Sequence, residues 1–288
     1  MGILLFLLTN FLVTMALSAV GYIVMTYAGI DPSAYSGLLI LSLIFGFTGS
    51  ILSLLMSKTM AKRSVGAVVI EKPRTEAEAW LLQVIAGQAQ KLKIKMPEVA
   101  IYPGREMNAF ATGAFKNSAL VAVSTGLLER MSRDEVEAVL AHEMSHVSNG
   151  DMVTMALLQG VANTFVIFFA RVVAQIVSNT LSRDGENSRG IYFLVSSVLQ
   201  MIFMVLANIV ILWFSRRREY YADAGSADLV GAPKMIAALK KLKTPHQEEL
   251  PSNLEAFGIS GAEKDSLFST HPSLDNRIHA LERRSYRV

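Results

Sequence analysis

No cysteine occurs anywhere in the 288 residues. Disulfides are therefore excluded, and any bound metal must take nitrogen and oxygen ligands. Charge is scarce as well. Only 18% of the residues are Asp, Glu, Lys or Arg, against 52% hydrophobic, and the mean hydropathy is +0.38. That balance is too apolar for an ordinary soluble domain. No internal repeat or low-complexity tract is present. The formal charge is only +3, and the basic residues cluster beside apolar runs rather than along aromatic platforms, so no nucleic-acid partner is expected.

Between Met1 and Ser57 the one charged residue is Asp31. Two apolar runs, roughly Ile3 to Tyr27 and Tyr35 to Ser57, are each long enough to cross about 30 Å of hydrocarbon as a helix. Gly29-Ile30-Asp31-Pro32-Ser33 separates them. A cleaved signal peptide fits the first run poorly, since no basic residue precedes it and its apolar part is too long. Lys58, Lys62 and Arg63 follow the second run and mark a cytoplasmic end, which predicts a cytoplasmic amino terminus and an anchor hairpin over residues 1–57.

Residues 58–150 read as a soluble unit. Thr75 and Glu78 form a capping box for a helix carrying Trp80, Leu81, Val84, Ile85 and Leu92. Three short strands are expected, Val99–Tyr102, Ala109–Thr112 and Ala119–Val123, then a helix over Thr125–Met131. A second capping box, Ser132 with Glu135, opens a helix with Val136, Val139 and Leu140 on its apolar stripe and a stop at Asn149-Gly150. That helix ends in His142-Glu143-Met144-Ser145-His146, an H-E-x-x-H motif. Residues four apart share one helix face, so both imidazoles can meet a single Zn2+ with Glu143 beside it as a base. The plainer reading is a surface helix with two solvated histidines. The strand before it has two readings as well: an edge that pairs with an extended substrate, or an ordinary buried strand.

Two further apolar runs, Met152–Leu181 and Ile191–Phe214, follow within the segment 151–214. They read as a second spanning pair. Arg171 in the first would be costly in lipid unless it snorkels or finds a partner. Arg216-Arg217-Arg218 then marks another cytoplasmic end. Directly after it, in the segment 215–288, Glu219 and Asp223 lie one helical turn apart, and a ligating carboxylate and a supporting one can share that face. Glu219 as a solvated acid beside the arginines is the alternative. The longer motif H-E-x-x-H-x-x-G-x-x-H is absent, because Asn149 and Met152 stand at its glycine and third histidine. If His146 and Glu219 share a metal, the chain between them must cross the membrane an even number of times. Two crossings satisfy this.

Together these residues resemble the HtpX-type membrane zinc metalloproteases, relatives of the CAAX-processing Ste24 proteases. The resemblance runs nearly end to end, through the amino-terminal hairpin, Asn108-Ala109-Phe110-Ala111-Thr112-Gly113, the H-E-x-x-H helix, the intervening apolar pair, Glu219 with Asp223, and His271-Pro272 with Arg277-Ile278. It implies an α-rich α+β membrane protein, a zincin-type catalytic domain with a small sheet plus four transmembrane helices. It implies a multi-pass protease of the bacterial inner membrane, with both termini and the active site cytoplasmic. Such a protease cleaves misfolded or damaged membrane proteins in stress response and protein quality control, and can cleave itself. One zinc per chain is expected on His142, His146 and Glu219, with Asp223 supporting and Asn108 to Thr112 binding substrate. For His271 the resemblance implies hydrogen-bonding to the oxyanion, and for Arg277 orienting it or clamping substrate. His246 and His279 read as surface residues, and the polar stretch Thr244–Thr270 as a lid or binding loop. The competing reading is a non-catalytic multi-span adaptor or transporter subunit, although the runs lack the paired charges and broken helices of a transport path.

Overall fold

The structure is a computed structural model that describes residue 27 and residues 36–181, 188–243 and 269–285. The first apolar run up to Thr26, the loop at 182–187 and most of the Thr244–Thr270 stretch lie outside them. The described helices are α1 (Ser36–Val65), α2 (Glu76–Leu92), α3 (Thr125–Arg130), α4 (Arg133–Asn149), α5 (Asp151–Leu181), α6 (Ser188–Val230), α7 (Ala232–Leu242) and α8 (Leu274–Ser285). The strands are β1 (Val68–Val69), β2 (Glu98–Tyr102), β3 (Ala109–Thr112) and β4 (Leu120–Ser124). The chain divides into two compact units, one of residues up to Leu52 with Ala156–Ile211, the other of Ser53–Met155 with Leu212 onward.

The second unit holds a mixed sheet in the order β1-β2-β4-β3. β2 and β4 run parallel, while β1 on β2 and β3 on β4 are antiparallel, so β3 is an edge. The three expected strands form within one residue of their expected bounds. β1 is new; two residues are too few to show alternation in a sequence. Along the strands, Val99, Ala109, Ala111, Val121 and Val123 enter a large core, while Ala100, Tyr102, Phe110, Leu120 and Ala122 enter a smaller one. That is the period of two expected for pleated strands, with both faces covered. Side chains of α2, α4, α7 and α8 fill the large core; Ala61 and Val65 near the end of α1 close the small one. Lys58 and Lys62 reinforce that closure by pairing with Glu98 at 2.6 and 3.0 Å.

Helix α4 starts as its capping box predicts. Ser132 Oγ accepts from the Glu135 N–H, and the Glu135 carboxylate accepts from the Ser132 N–H at 2.8 Å. The box on α2 is half formed: Thr75 accepts from the Glu78 N–H, but the Glu78 carboxylate takes the Arg74 N–H instead. At the far end of α4, Gly150 sits in the left-handed region (φ 72°, ψ 34°) and returns its N–H to the carbonyls of His146 and Val147. Glycine adopts this conformation without strain, so the chain stops one helix and begins α5 at the next residue.

In the first unit, α1 and α5 meet at small residues. A Cβ on Gly46 would lie 2.3 Å from Thr164 Oγ1, and one on Gly160 would meet the Phe47 ring at 2.7 Å. Such close approach is how helices associate where no hydrophobic effect separates them from their solvent. Hydroxyls bond back to their own helix, Ser42 to the Leu38 carbonyl and Thr164 to the Gly160 carbonyl, so that these donors are satisfied in an apolar medium. Large apolar side chains such as Ile40, Phe45, Leu194, Met201 and Leu206 face outward. By length and composition α1, α5 and α6 are each able to cross a membrane; they are the second, third and fourth expected spans. Arg171 lies twenty residues along α5 from Asp151, about 30 Å at 1.5 Å per residue, which puts it one hydrocarbon thickness from the helix start.

The cap of α4 gives a direct test. Ser132→Ala should cost about 1 kcal/mol, read as a lower thermal-unfolding midpoint of the detergent-solubilised chain.

Candidate metal centre

Helix α4 buries His142 and Glu143 and leaves His146 partly buried, all at its carboxyl-terminal end. Helix α6 crosses α4 at small residues. A Cβ on Gly225 would lie 2.5 Å from Ser145 Oγ, and Ser226 Oγ donates to the Ala138 carbonyl at 2.8 Å. That contact delivers Glu219, nearly two turns earlier on α6, to the two histidines. His142, His146 and Glu219 offer ligand atoms that all lie within 4.8 Å of one another.

The proton positions follow from the partners. His142 Nδ1 lies 2.9 Å from Asp223 Oδ1, and His146 Nδ1 lies 2.6 Å from Asp151 Oδ2. A carboxylate at Nδ1 holds the proton there and leaves Nε2 as a lone pair. The two Nε2 atoms then face each other at 3.1 Å, with Glu219 Oε1 3.3 Å from that of His146 and Oε2 3.5 Å from that of His142. Lone pairs so close repel unless positive charge lies among them.

The surroundings make the same demand. Glu143, Asp151, Glu219 and Asp223 are buried together with Arg277, and the partly buried Arg218 lies against Asp151. Four carboxylates against two guanidiniums leave a formal charge of −2, the charge a divalent cation cancels. Burial by itself pushes the two imidazoles down, but Asp223 and Glu219 at His142, and Asp151 and Glu219 at His146, outweigh it and raise both, His146 to about 10. Protons and a cation therefore compete for these nitrogens. Two imidazole nitrogens and one carboxylate are the ligand set of open zinc sites, so these residues fit a zinc ion.

Around the triangle, burial raises the Glu143 carboxyl above its ordinary range, against the pull of His142 and His146 and a backbone hydrogen bond from Ala111 of β3. Arg277 is fully buried. Its Nε and Nη2 grip Asp223 at 2.8 and 2.7 Å, and Nη1 lies 3.4 Å from Glu219 Oε2. His271 is buried with Nδ1 3.1 Å from Glu219 Oε2, out of line for a hydrogen bond, and neither ring nitrogen has a hydrogen-bond partner among the described residues.

The substrate-binding candidates lie beside α4. Asn108 is buried, its backbone bonded to Ser124 through both N–H and carbonyl. Ala109, Phe110, Ala111 and Thr112 form the edge strand β3, their side chains buried. His279 is exposed and lies 3.3 Å from Glu282, while His246 falls outside the described residues. Sequence reasoning did not find Asp151, Arg218, Gly225 or Ser226. Asp151 reads in one dimension as the acid that opens a helix, Arg218 as a topology marker, and small residues at a crossing leave no trace in hydropathy.

Comparison with known proteins finds relatives across nearly the whole chain. Residues 75–285 match the sequence profile of peptidase family M48. The protease HtpX homolog of Neisseria meningitidis is 57% identical over 281 residues, covering 97% of this chain and 98% of the relative. Protease HtpX of Klebsiella pneumoniae is 55% identical over 295 residues, covering 99% of each. In fold, the chain is similar to the crystal structure of S. mikatae Ste24p, with a TM-score of 0.62 at 18% identity over 97% of this chain and 67% of that one.

The ligand geometry predicts an order of losses. His142→Ala, His146→Ala and Glu219→Ala should each abolish binding of a zinc ion, whereas Asp223→Ala should weaken it about 10–100-fold. Metal analysis of the purified variants checks this, and normal zinc content in Glu219→Ala would move the search for a third ligand to His271.

Proposed function

Because the chain belongs to peptidase family M48, we propose that His142, His146 and Glu219 hold one zinc ion and that Glu143 is the base for peptide-bond hydrolysis beside it. The chain is a metalloprotease, acts on polypeptides, and is a multi-pass protein of a bacterial inner membrane. The observation that carries the site assignment is the triangle of two converging Nε2 atoms and the Glu219 carboxylate.

Zinc bound there supplies a water of lowered pKa and an electrophile for the scissile carbonyl. The protein's residues do the rest. Glu143, whose burial makes it a stronger base than an exposed carboxylate, takes the proton of the attacking water and passes it to the leaving amine. His271, buried beside Glu219 with Nε2 lacking a hydrogen-bond partner among the described residues, donates to the oxyanion that develops on the carbonyl. Arg277 acts through Asp223 and Glu219 as a positioning residue, since its whole fork is turned toward them.

An extended substrate pairs with the edge strand Ala109–Thr112, with Asn108 at its start, which lays the scissile bond across α4. Two features support this: β3 is an edge, and the Ala111 backbone already contacts Glu143. Only an unfolded or damaged chain lends such a strand without further cost, so misfolded membrane proteins are the substrates, and self-cleavage follows when a segment of the protease itself is extended. The charge pattern assigns residues 58–150 and 215–288 to the cytoplasmic face as two halves of one catalytic domain, with 1–57 and 151–214 as membrane anchors.

Glu143→Gln should retain zinc while peptide hydrolysis falls by about 10²–10⁴-fold, the share of a general base. A hydrolysis assay on detergent-solubilised protein with and without chelator measures it, and an active Glu143→Gln sinks the mechanism. Orientation has its own test, made clean by the absence of native cysteine. Single cysteines at Ser33 and Asn187 should react with a membrane-impermeant thiol reagent applied outside intact cells, and one at Ser266 should not. Labelling at Ser266 would reverse the orientation and the substrate class with it.

A further inference from the structure

The two histidines are held in the same manner. His142 is backed by Asp223, which is gripped by Arg277. His146 is backed by Asp151 at 2.6 Å, and Arg218 Nη2 lies 3.2 Å from the same oxygen, Asp151 Oδ2. Asp151 is buried, and the Arg218 side chain is only 15% exposed, with its Nε lacking a hydrogen-bond partner among the described residues. The geometry makes the second relay possible through one glycine. Gly150 turns the chain in the left-handed region, so the first residue of α5 faces back toward the ring four residues before that glycine.

We infer that Asp151 and Arg218 are positioning residues for the metal centre. Asp151 holds the proton of His146 on Nδ1 and fixes the ring so that Nε2 faces the cation, and Arg218 holds Asp151 in that place. The inference rests on His146 being a ligand, as proposed above. It gives Arg218 a duty separate from the topological one shared by Arg216 and Arg217. It also means that each ligand histidine draws its orientation from a different membrane-linked helix, α5 for His146 and α6 for His142. The plainer role for Asp151 is a favourable charge at the start of α5, worth some tenths of a kcal/mol to the helix and nothing to the metal.

The test separates these roles by reading metal affinity rather than turnover. Full-length chain carrying Glu143→Gln, which suppresses hydrolysis during purification, is prepared in detergent. Zn2+ and Co2+ affinities are measured by competition with a chelator, the visible bands of the Co2+ form are recorded, and the unfolding midpoint is taken without metal. Asp151→Ala should weaken metal binding about 10–100-fold and shift the Co2+ bands, with the metal-free midpoint unchanged. Asp151→Asn, whose amide oxygen still accepts from Nδ1–H, should lose less. Arg218→Gln should weaken binding in the parent and add nothing in Asp151→Ala, because it acts through that carboxylate.

Unchanged affinity in Asp151→Ala overturns the inference, as does an affinity loss matched by a lower metal-free midpoint, which is the signature of a helix-start charge. Additive losses from Arg218→Gln and Asp151→Ala overturn the relay. His146→Ala is the control for the underlying assignment. If it still binds zinc normally, the ligand set and this inference both fail. If it loses zinc while Asp151→Ala does not, only the inference fails.

Discussion

Buried negative charge is the constraint on which this centre depends. Four carboxylates in a largely buried cluster repel one another and lose their hydration, and such a group persists only where protons or cations repay it. Here Arg277 and Arg218 supply half of the compensation from inside the chain. The remainder equals the charge of a divalent ion, and the ligand atoms of His142, His146 and Glu219 lie close enough together to meet one. Fold and chemistry therefore answer the same requirement: α6 must cross α4 closely, α8 must bring Arg277, and α5 must start where α4 stops.

The sheet serves the centre from one side. Both its faces are packed, and of its two edge strands, β1 and β3, the one adjacent to α4 is β3. The Ala111 N–H of that strand reaches the Glu143 carboxylate. On the proposed function, recognition and proton transfer would therefore share one strand.

Much of this was legible in the sequence, for physical reasons that differ from residue to residue. His142 and His146 announce themselves because a helix of 3.6 residues per turn puts i and i+4 on one face, and the capping boxes at Thr75 and Ser132 because caps are local. The bounds of β3 were readable from apolar residues bracketed by breakers. The parallel pairing of β2 with β4 was not, since register between strands is a tertiary fact. Lys58 and Lys62 were read as charges that orient a span, yet they also bind Glu98; a sequence shows a sign, not its partner. Asp151 was hidden in the same way, one residue beyond a glycine whose turn direction no spacing rule contains.

The grip of Arg277 on Asp223 has a consequence for how the enzyme comes into being. The two residues are 54 positions apart, and α8 is made after both α5 and α6. On the ribosome, His142 and His146 emerge first, then Glu219 and Asp223, and only much later the guanidinium that steadies the carboxylates. Until then the nascent chain carries its cutting motif without the counter-charge that lets the pocket close. The full set of charges around the centre therefore exists only after residue 277 has been added.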